Sequence, residues 1–509
     1  YNLFWLAWIA LVPLFVALML IRRWWQALIC GLLTGLIYFG GVLHWLKIVG
    51  IWAGEGYGYL AWIALVVFQS IFIGFFTLNF YFLFKWIKIK VNNKYQEYLF
   101  FLLAPAGWIV VEWLRALGPF GVSTGALAYS QYQVLPLIQI VSLFGSYGLS
   151  FLIVLVNYVI ARALLLTLWV DETTENNWPT ILRQLGLVAL IMGISLVYGF
   201  YTRNLYSKID PQDRYLRVAL FQPNVPQEKK LDSRYYNSIK DMYVEEAKRY
   251  FKIQKADLVI WPETIVPQLL LRDRYFVFRI KEAARLPILF GTPTLLGKNI
   301  YNSMVLINER GQELAIYHKQ HLVPFGEYLP FKKLLYPFLA GTNYFQDDYS
   351  VPKVAQSFST PWGKFACGIC FESTLPQLIR MQVIQGGQLI TIITNDAWFK
   401  QTAAMEEHLA MSLMRAVENR RYLIQVANTG YTFIVNPAGQ IMYQTNLEKQ
   451  EWLIADVFLK NKKSFYTKYG DVLVYLSLFF IIALGYQWII YKRQESKKRK
   501  IEKLRKEYL

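Results

Sequence analysis

Seven stretches of this 509-residue chain are long and apolar enough to cross a lipid bilayer, and they limit what the chain can fold into. A membrane-spanning helix needs about twenty mostly apolar residues, because its backbone polar groups must find their partners inside the helix. Aliphatic and aromatic residues make up 55% of the chain, with most of the excess before residue 200. The sequence therefore predicts a multispan α-helical membrane bundle, with spans near 3–21, 25–48, 58–84, 97–117, 140–168, 182–202 and 471–491.

The basic residues indicate on which side of the membrane the loops lie. The formal net charge is +19, and residues 492–509 alone contain nine Lys or Arg against three Glu, a net +6. Arg22 and Arg23 separate the first two spans, and four lysines between positions 85 and 94 separate the third from the fourth. Because Lys and Arg accumulate on the cytoplasmic flank of membrane spans, we expect these loops and the tail inside the cell. Their position beside apolar spans also argues against nucleic-acid binding.

This topology predicts three parts. Residues 1–213 form N-terminal transmembrane helices, residues 214–460 a domain outside the membrane that is long enough for its own core, and residues 461–509 a last span with a basic cytoplasmic tail. With seven crossings and the tail inside, Tyr1 falls on the outer side. We therefore expect a further span of about twenty residues upstream of Tyr1, with a cleaved signal sequence as the alternative.

Within residues 214–460 the pattern changes to short β-rich runs that alternate with helical stretches. Several runs are continuously apolar, as in strands that are covered on both faces. Helices are predicted over 232–253, 272–285 and 405–421, and this interleaving favours an α/β sandwich over an all-β domain. The nine predicted strands are Leu216–Gln222, Leu258–Trp261, Ile288–Gly291, Ser303–Asn308, Phe365–Cys370, Leu389–Thr394, Tyr422–Ala427, Thr432–Asn436 and Trp452–Val457.

The chain has three cysteines, and two of them, Cys367 and Cys370, form a C-x-x-C sequence. A structural zinc site needs four ligands, and no second C-x-x-C or H-x-x-x-H pair completes one, so we predict no metal and no other cofactor. Residues three apart in a strand point to opposite faces. Cys367 is therefore expected in the core, and Cys370, where the apolar run gives way to a turn, is available for chemistry.

Three polar motifs lie near the ends of predicted strands. Glu263 comes directly after a buried strand, Lys319 and Glu327 lie eight residues apart among apolar residues, and Glu372 follows Cys370 by two. Each residue alone is typical of a solvated surface. Together they supply a base, a cation and a thiol, which are the groups that thiol-based acyl transfer requires.

The chemistry of a thiol explains this combination. A thiol with a pKa of about 8.5 is mostly protonated at neutral pH, so it needs a carboxylate to take its proton or a cation to favour the thiolate. We interpret Glu263 as that base. Lys319 would meet the oxyanion of the tetrahedral intermediate with a full positive charge, and Glu327 would orient the lysine.

Two charged residues lie three apart in the fourth predicted span. A charge at the centre of the bilayer costs about 2.5 kcal/mol or more, so each is expected to have a partner. We predict that Glu112 and Arg115 pair with each other near the outer end of the span. The alternative is that Arg115 binds the phosphate of a lipid substrate. His44, near the end of the second span, is predicted to pack at the membrane interface.

The phrases WPE, KQHLVPFGE and CFE, in this order and at this spacing, resemble the Glu-Lys-Cys triad of the nitrilase or carbon–nitrogen hydrolase superfamily. The phrase NDAWF and the flanking spans resemble its membrane-bound, lipoprotein-acylating branch. The resemblance covers essentially the whole chain and implies an αββα sandwich on a bundle that normally has eight membrane helices. It implies Glu263, Lys319 and Cys370 as catalytic residues, with Glu327, Glu372 and Asn302 in support.

The function that this resemblance implies joins two lipid substrates. A membrane phospholipid donates an acyl chain to Cys370 as a thioester, and the free α-amine of a diacylglyceryl cysteine on an apolipoprotein accepts it. The expected location is the bacterial inner membrane, with the catalytic domain on the periplasmic side. An apolar patch that includes Leu334, Leu335 and Phe338 is predicted to be a mobile lid in contact with lipid, the alternative being a buried loop.

Two other functions stay open at this stage. A membrane-anchored amidase or nitrilase that hydrolyses a small amide would use the same three residues for its first half-reaction. A transporter or receptor with a degenerate enzyme-like domain is the third possibility. The presence of Glu263, Lys319 and Cys370 together argues against the latter.

Overall fold

The computed structural model describes residues 3–91, 93–168, 178–251, 255–333, 348–353 and 358–508. Among these residues, six helices are long and apolar enough to cross a membrane, by length and composition. The chain is therefore a multi-pass membrane protein. The six helices are Trp24–Val42, Glu55–Lys90, Asn93–Arg115, Val141–Leu168, Trp178–Ser207 and Val472–Tyr508.

The first predicted span differs from the expectation of one continuous helix. A 3₁₀ helix over Phe4–Trp8 is followed by a break and then by the nine-residue helix Val12–Leu20. Pro13 lies in the first turn of this helix. Proline has no backbone N–H and fits the first turn of a helix but not its interior, which explains why the helix begins here.

Shorter elements follow the predicted second span, which ends as a helix at Val42. A 3₁₀ helix over His44–Val49 and the short helix Gly50–Ala53 then lead into the third span. The helix Val141–Leu168 is kinked at Gly145, where φ is +66°. A Cβ atom at Gly145 would lie 2.6 Å from the ring of Tyr466, so the close approach of the last part of the chain requires glycine here.

The extramembrane residues form two six-stranded sheets. All nine predicted strands are present, and three more complete the sheets. In chain order the strands are β1 (Tyr215–Gln222), β2 (Leu258–Ile260), β3 (Ile288–Leu296), β4 (Asn299–Ile307), β5 (Glu313–His318), β6 (Phe358–Thr360), β7 (Gly363–Ile369), β8 (Leu389–Thr394), β9 (Leu423–Ala427), β10 (Phe433–Val435), β11 (Ile441–Gln444) and β12 (Glu451–Phe458). The first sheet has the order β12-β1-β2-β3-β4-β5, and the second has the order β11-β10-β9-β8-β7-β6.

The two sheets pack face to face between two layers of helices, which confirms the predicted αββα sandwich. Consecutive residues of β7 show this arrangement, because they point to opposite faces of the sheet. Cys367 belongs to the core between the two sheets, and Ala366 belongs to the core on the outer side. One outer layer contains the helices Tyr236–Phe251 and Arg274–Ala284, and the other contains Pro376–Ile384 and Ala403–Asn419.

The second of these helical layers joins the sandwich to the membrane bundle. The helix Ala403–Asn419 is buried along almost its whole length. Its residues Met411 and Leu413 belong to the same continuous apolar core as Phe39 and Val141 of the bundle. The α/β sandwich and the membrane helices therefore share one core.

Candidate active site

Cys370 lies at the carboxyl end of β7, at the point where the strand becomes a 3₁₀ turn over residues 370–374. Its backbone has φ +54°, a left-handed conformation that costs a residue with a Cβ atom about 1–2 kcal/mol. Such strain persists only where the surroundings fix it, and it is frequent at functional sites. Cys367, by contrast, is fully buried between the sheets, as predicted.

Glu372 holds this turn against the neighbouring sheet. Its Oε2 atom accepts hydrogen bonds from the backbone N–H of Ile369 at 2.8 Å and from the hydroxyl of Tyr317 at 3.0 Å. Its Oε1 atom accepts from the backbone N–H groups of Gln320 at 2.6 Å and His321 at 3.0 Å. Burial raises the pKa of Glu372 to about 7. The side chain thus ties the turn at Cys370 to the segment that follows β5.

Lys319 is the first residue after β5, and its side chain is 1% exposed. Its Nζ atom lies 2.8 Å from Oε1 of Glu327 and 3.8 Å from Oε1 of Glu263. Burial lowers the pKa of Lys319, but the two carboxylates more than offset this effect, so the net pKa is raised. The ammonium group therefore stays charged at neutral pH.

Glu263 follows β2 after Pro262 and is buried. Its Oε1 atom accepts a hydrogen bond of 2.7 Å from Nδ2 of Asn302, which also donates to Oε1 of Glu327 at 2.8 Å. Burial raises the pKa of Glu263, while Lys319 and Asn302 act in the opposite direction. Gly291 on β3 makes room for this turn, because a Cβ atom there would lie 2.6 Å from Cα of Glu263.

The charges of Glu263 and Lys319 both affect the pKa of the Cys370 thiol. Burial raises its pKa, Glu263 raises it further, and Lys319 lowers it. The net pKa lies above the ordinary value, so the thiol is protonated at neutral pH. A base is therefore needed for nucleophilic attack, and Glu263 is a buried carboxylate whose charge acts on this thiol.

Two known protein families match most of this chain in sequence. Residues 1–159 match the sequence model of the apolipoprotein N-acyltransferase N-terminal domain, and residues 217–465 match the carbon-nitrogen hydrolase model. An apolipoprotein N-acyltransferase from Geobacter metallireducens is 33% identical over 476 residues, which cover 92% of this chain and 88% of the relative. Another from Thermotoga maritima is 30% identical over 434 residues, which cover 82% and 76%.

The chain belongs to the apolipoprotein N-acyltransferase family. It is therefore an acyltransferase, and its soluble part belongs to the wider carbon-nitrogen hydrolase family. Solved structures with limited similarity include Nit3 of Saccharomyces cerevisiae, described as a member of the nitrilase superfamily, at 20% identity and a TM-score of 0.36. The matched region covers 48% of this chain and 90% of the Nit3 chain. An amidase from Nesterenkonia has 20% identity and a TM-score of 0.37, and covers 51% and 96%.

One buried cation near the predicted base of this acyltransferase was not singled out from the sequence. Lys230 is 3% exposed, and its Nζ atom donates to the backbone carbonyl of Glu263 at 3.2 Å. Burial lowers the pKa of Lys230 to about 7. The residue lies in the polar sequence QEKKL, which gives no sign that one of its lysines is buried.

A hydrogen-bonded chain behind the Cys370 turn was also missed. Nδ1 of His408 lies 3.0 Å from Oδ1 of Asp396, and Nε2 lies 2.7 Å from the hydroxyl of Ser373. Burial lowers the pKa of His408, but Asp396 more than offsets this effect, so the net pKa is raised. The phrase NDAWF pointed to Asp396 only as a family resemblance, and a single histidine inside an apolar helix carries no signal of its own.

The predicted ion pair between Glu112 and Arg115 is wrong. Both residues lie in the described part of the chain, and they form no ion pair with each other there. Glu112 accepts hydrogen bonds from the indole N–H of Trp108 and the backbone N–H of Leu127. Arg115 donates to backbone carbonyls of residues 122–124, and its side chain is buried. Both side chains find hydrogen-bond partners in the same loop. Its backbone offers an N–H donor to Glu112 and carbonyl acceptors to Arg115.

The same contacts go against Arg115 as a ligand of lipid phosphate, because its guanidinium is already engaged with the protein. His44 packs edge-to-face on Trp62 at a centroid distance of 6.1 Å, and its position at the membrane interface stays a prediction. The predicted lipid contacts Leu334, Leu335 and Phe338 lie outside the described residues.

Proposed function

We propose that this acyltransferase moves an acyl chain from a membrane phospholipid to Cys370 and then to the α-amine of a diacylglyceryl cysteine at the start of an apolipoprotein. The observation that carries the proposal is the cluster around Lys319. A buried ammonium group lies within 4 Å of two carboxylates, of which Glu263 is buried, and its charge and that of Glu263 both act on the thiol of Cys370.

In the first half-reaction, Sγ of Cys370 attacks the ester carbonyl carbon of the phospholipid, and Glu263 takes the thiol proton. The carbonyl oxygen becomes an oxyanion, which the charged Lys319 stabilises. When the tetrahedral intermediate collapses, the C–O bond breaks and Glu263 returns the proton to the leaving oxygen. The products are a lysophospholipid and a thioester on Cys370.

In the second half-reaction, the neutral α-amine attacks the thioester carbonyl, and Glu263 accepts the proton that the nitrogen loses. The C–S bond then breaks, the amide remains, and the proton returns to the sulfur of Cys370. Lys319 faces an oxyanion in both half-reactions, so it contributes to each. Asn302 and Glu327 keep Glu263 and Lys319 in place through the hydrogen bonds described above.

We also propose that the catalytic domain lies on the periplasmic side of the bacterial inner membrane. The basic loop near Arg22, the lysine-rich loop after the third predicted span and the C-terminal basic residues support this orientation, because such residues favour the cytoplasmic side. Both substrates are anchored in a membrane leaflet. A catalytic domain that shares its core with membrane helices stays beside that leaflet.

The predicted lid stays part of the proposal. Replacing Leu334, Leu335 and Phe338 by serine is expected to weaken the use of lipid donors and to leave a short soluble thioester donor active. Equal loss on both donors would instead support a buried loop. Initial rates with the two donors, measured side by side, distinguish these results.

The alternative of a membrane-anchored amidase has the same first half-reaction but a different acceptor, namely water. Family membership over 92% of the chain favours lipoprotein acylation. In proteoliposomes that contain the purified enzyme, a labelled phospholipid and a diacylglyceryl-cysteine peptide, we expect lysophospholipid and N-acylated peptide in equal amounts. Hydrolysis of small amides without any N-acylated peptide would contradict the proposal.

A further inference from the structure

Thr374, the last residue of the turn that begins at Cys370, contacts the membrane bundle. The backbone carbonyl of Thr374 accepts a hydrogen bond of 2.8 Å from the hydroxyl of Ser123, which is 251 residues away in the sequence. Arg415 donates to the same carbonyl at 3.4 Å. Ser123 and Thr374 are both buried. One end of this five-residue turn therefore rests on a side chain of the loop that follows the helix Asn93–Arg115.

Ser123 is fixed in turn by Arg115, because the arginine binds the backbone around it. Nη1 of Arg115 donates to the carbonyls of Val122 at 3.0 Å and Thr124 at 2.8 Å, and Nη2 donates to the carbonyl of Ser123 at 3.4 Å. A guanidinium is a planar fork with several fixed donors, so it orients a backbone segment better than an ammonium group does. Three successive carbonyls are held by one side chain.

Other bundle residues hold the same loop from both sides. The hydroxyl of Tyr38 donates to the carbonyl of Gly125 at 2.8 Å, and Glu112 accepts from the backbone N–H of Leu127 at 3.1 Å. Phe120, earlier in the loop, stacks on Phe331 of the catalytic domain with ring centroids 5.9 Å apart. The loop is thus bound to the bundle through its backbone and to the catalytic domain through its side chains.

The remaining anchors of the turn come from the catalytic domain. Glu372 is bound to the backbone of the neighbouring segments, and Ser373 is bound to His408. Thr374 is the residue of the turn that a bundle residue also binds, through the hydroxyl of Ser123. Cys370 lies four residues earlier in the same turn and holds a left-handed conformation, so the turn links the thiol to the contact between Thr374 and Ser123.

We propose that Arg115 and Ser123 are positioning residues, through which the membrane bundle sets the position of the Cys370 thiol. The proposal rests on the role of Cys370 as the nucleophile. It gives Arg115 a part in catalysis that involves no contact with substrate. It also gives the bundle a function beyond anchoring, because the geometry of the nucleophile depends on it.

The test compares Ser123→Ala with Ser130→Ala in the full-length enzyme. Ser130 lies in the same region, and its hydroxyl donates to the carbonyl of Leu127 within the bundle. Two rates are measured by mass spectrometry of the Cys370 peptide: alkylation by iodoacetamide without lipid, and acylation by phospholipid. For Ser123→Ala we expect both rates to fall about tenfold with an unchanged KM, since a small misplacement of a reacting group can cost up to about a hundredfold. Ser130→Ala should keep the wild-type rates.

Wild-type rates in Ser123→Ala, with only a lower unfolding temperature, would overturn the proposal and show a merely structural contact. Arg115→Lys keeps the positive charge and loses the fork, so it should slow both reactions as well. Wild-type rates in a folded Arg115→Lys protein would also overturn it. If wild-type Cys370 is alkylated but never acylated, the proposed acyl transfer fails, while the alkylation rates still decide whether the bundle positions the thiol.

Discussion

The membrane bundle and the catalytic domain each contain a buried group of opposite charges, and the two groups behave differently. In the bundle, Glu112 and Arg115 are three residues apart on one helix, yet each binds the backbone of a loop instead of the other. In the catalytic domain, Glu263 comes from a separate segment, and both Glu263 and Glu327 lie within 4 Å of Nζ of Lys319.

The difference teaches that close spacing in a sequence does not decide which charges pair. In the bundle, the two charged side chains fix the backbone of one loop. The carboxylate accepts from a backbone N–H group, and the guanidinium donates to backbone carbonyls. The catalytic domain places its charges against each other and against a thiol, so that changes in one alter the pKa of the next. Such coupled buried groups are suited to proton transfer.

The largest expected effect concerns the catalytic group. Glu263→Gln keeps the shape of the side chain and removes the base, so acylation of Cys370 should slow by about 10²–10⁴, the usual contribution of a positioned base. The unfolding temperature should change little by comparison. Single-turnover acylation with labelled phospholipid measures the effect. Acylation of the variant at the wild-type rate would show that Glu263 is not the base. The contrast between the catalytic charges and those of the bundle would then fail.

A matched pair of amide substitutions tests the two regions directly. Glu327→Gln leaves the buried ammonium of Lys319 without its nearest negative charge, and breaking such a pair costs about 3–5 kcal/mol of stability. Glu112→Gln keeps an oxygen that accepts from Leu127, so a loss of about 1 kcal/mol is expected, as for an ordinary hydrogen bond. Denaturation of both variants in the same detergent gives the difference. Equal losses of unfolding free energy would contradict the difference drawn here between the two regions.

The smallest effect is a shift in pH dependence. Asn302 lowers the pKa of Glu263 through its hydrogen bond, so Asn302→Leu should raise that pKa. Glu263 must be ionised to act as a base, and activity is lost as the pH falls through its pKa. The acidic limb of the acylation rate should therefore move to higher pH in the variant. An unchanged limb, or one at lower pH, would show that Asn302 does not influence the base.

Much of the catalytic domain could be predicted because its strands are short apolar runs with clear ends. The strand before Cys370 and the turn after it both follow from the residues 363–374. The three strands that were missed, β5, β6 and β11, are all at most partly buried, and none is a continuous buried apolar run. Such strands lie at sheet edges, where pairing rather than burial defines them.

The parts of the site that could not be predicted depend on contacts between distant segments. No local pattern distinguishes the buried Lys230 from its neighbour Lys229, because burial follows from the approach of Glu263. The misinterpretation of Glu112 and Arg115 has the same origin. Their partners are backbone groups of the following loop, which folds back onto both side chains, and the spacing of Glu112 and Arg115 alone does not show this.

The central claim is that Cys370 carries the acyl chain between the two substrates. The most direct measurement is the mass of the intact enzyme after incubation with phospholipid and no acceptor, for the wild type, Cys367→Ala and Cys370→Ala. We expect one hydroxylamine-sensitive acyl chain on the wild type and on Cys367→Ala, its loss when a diacylglyceryl-cysteine peptide is added, and no adduct on Cys370→Ala. An adduct that persists in Cys370→Ala and disappears in Cys367→Ala would contradict the account.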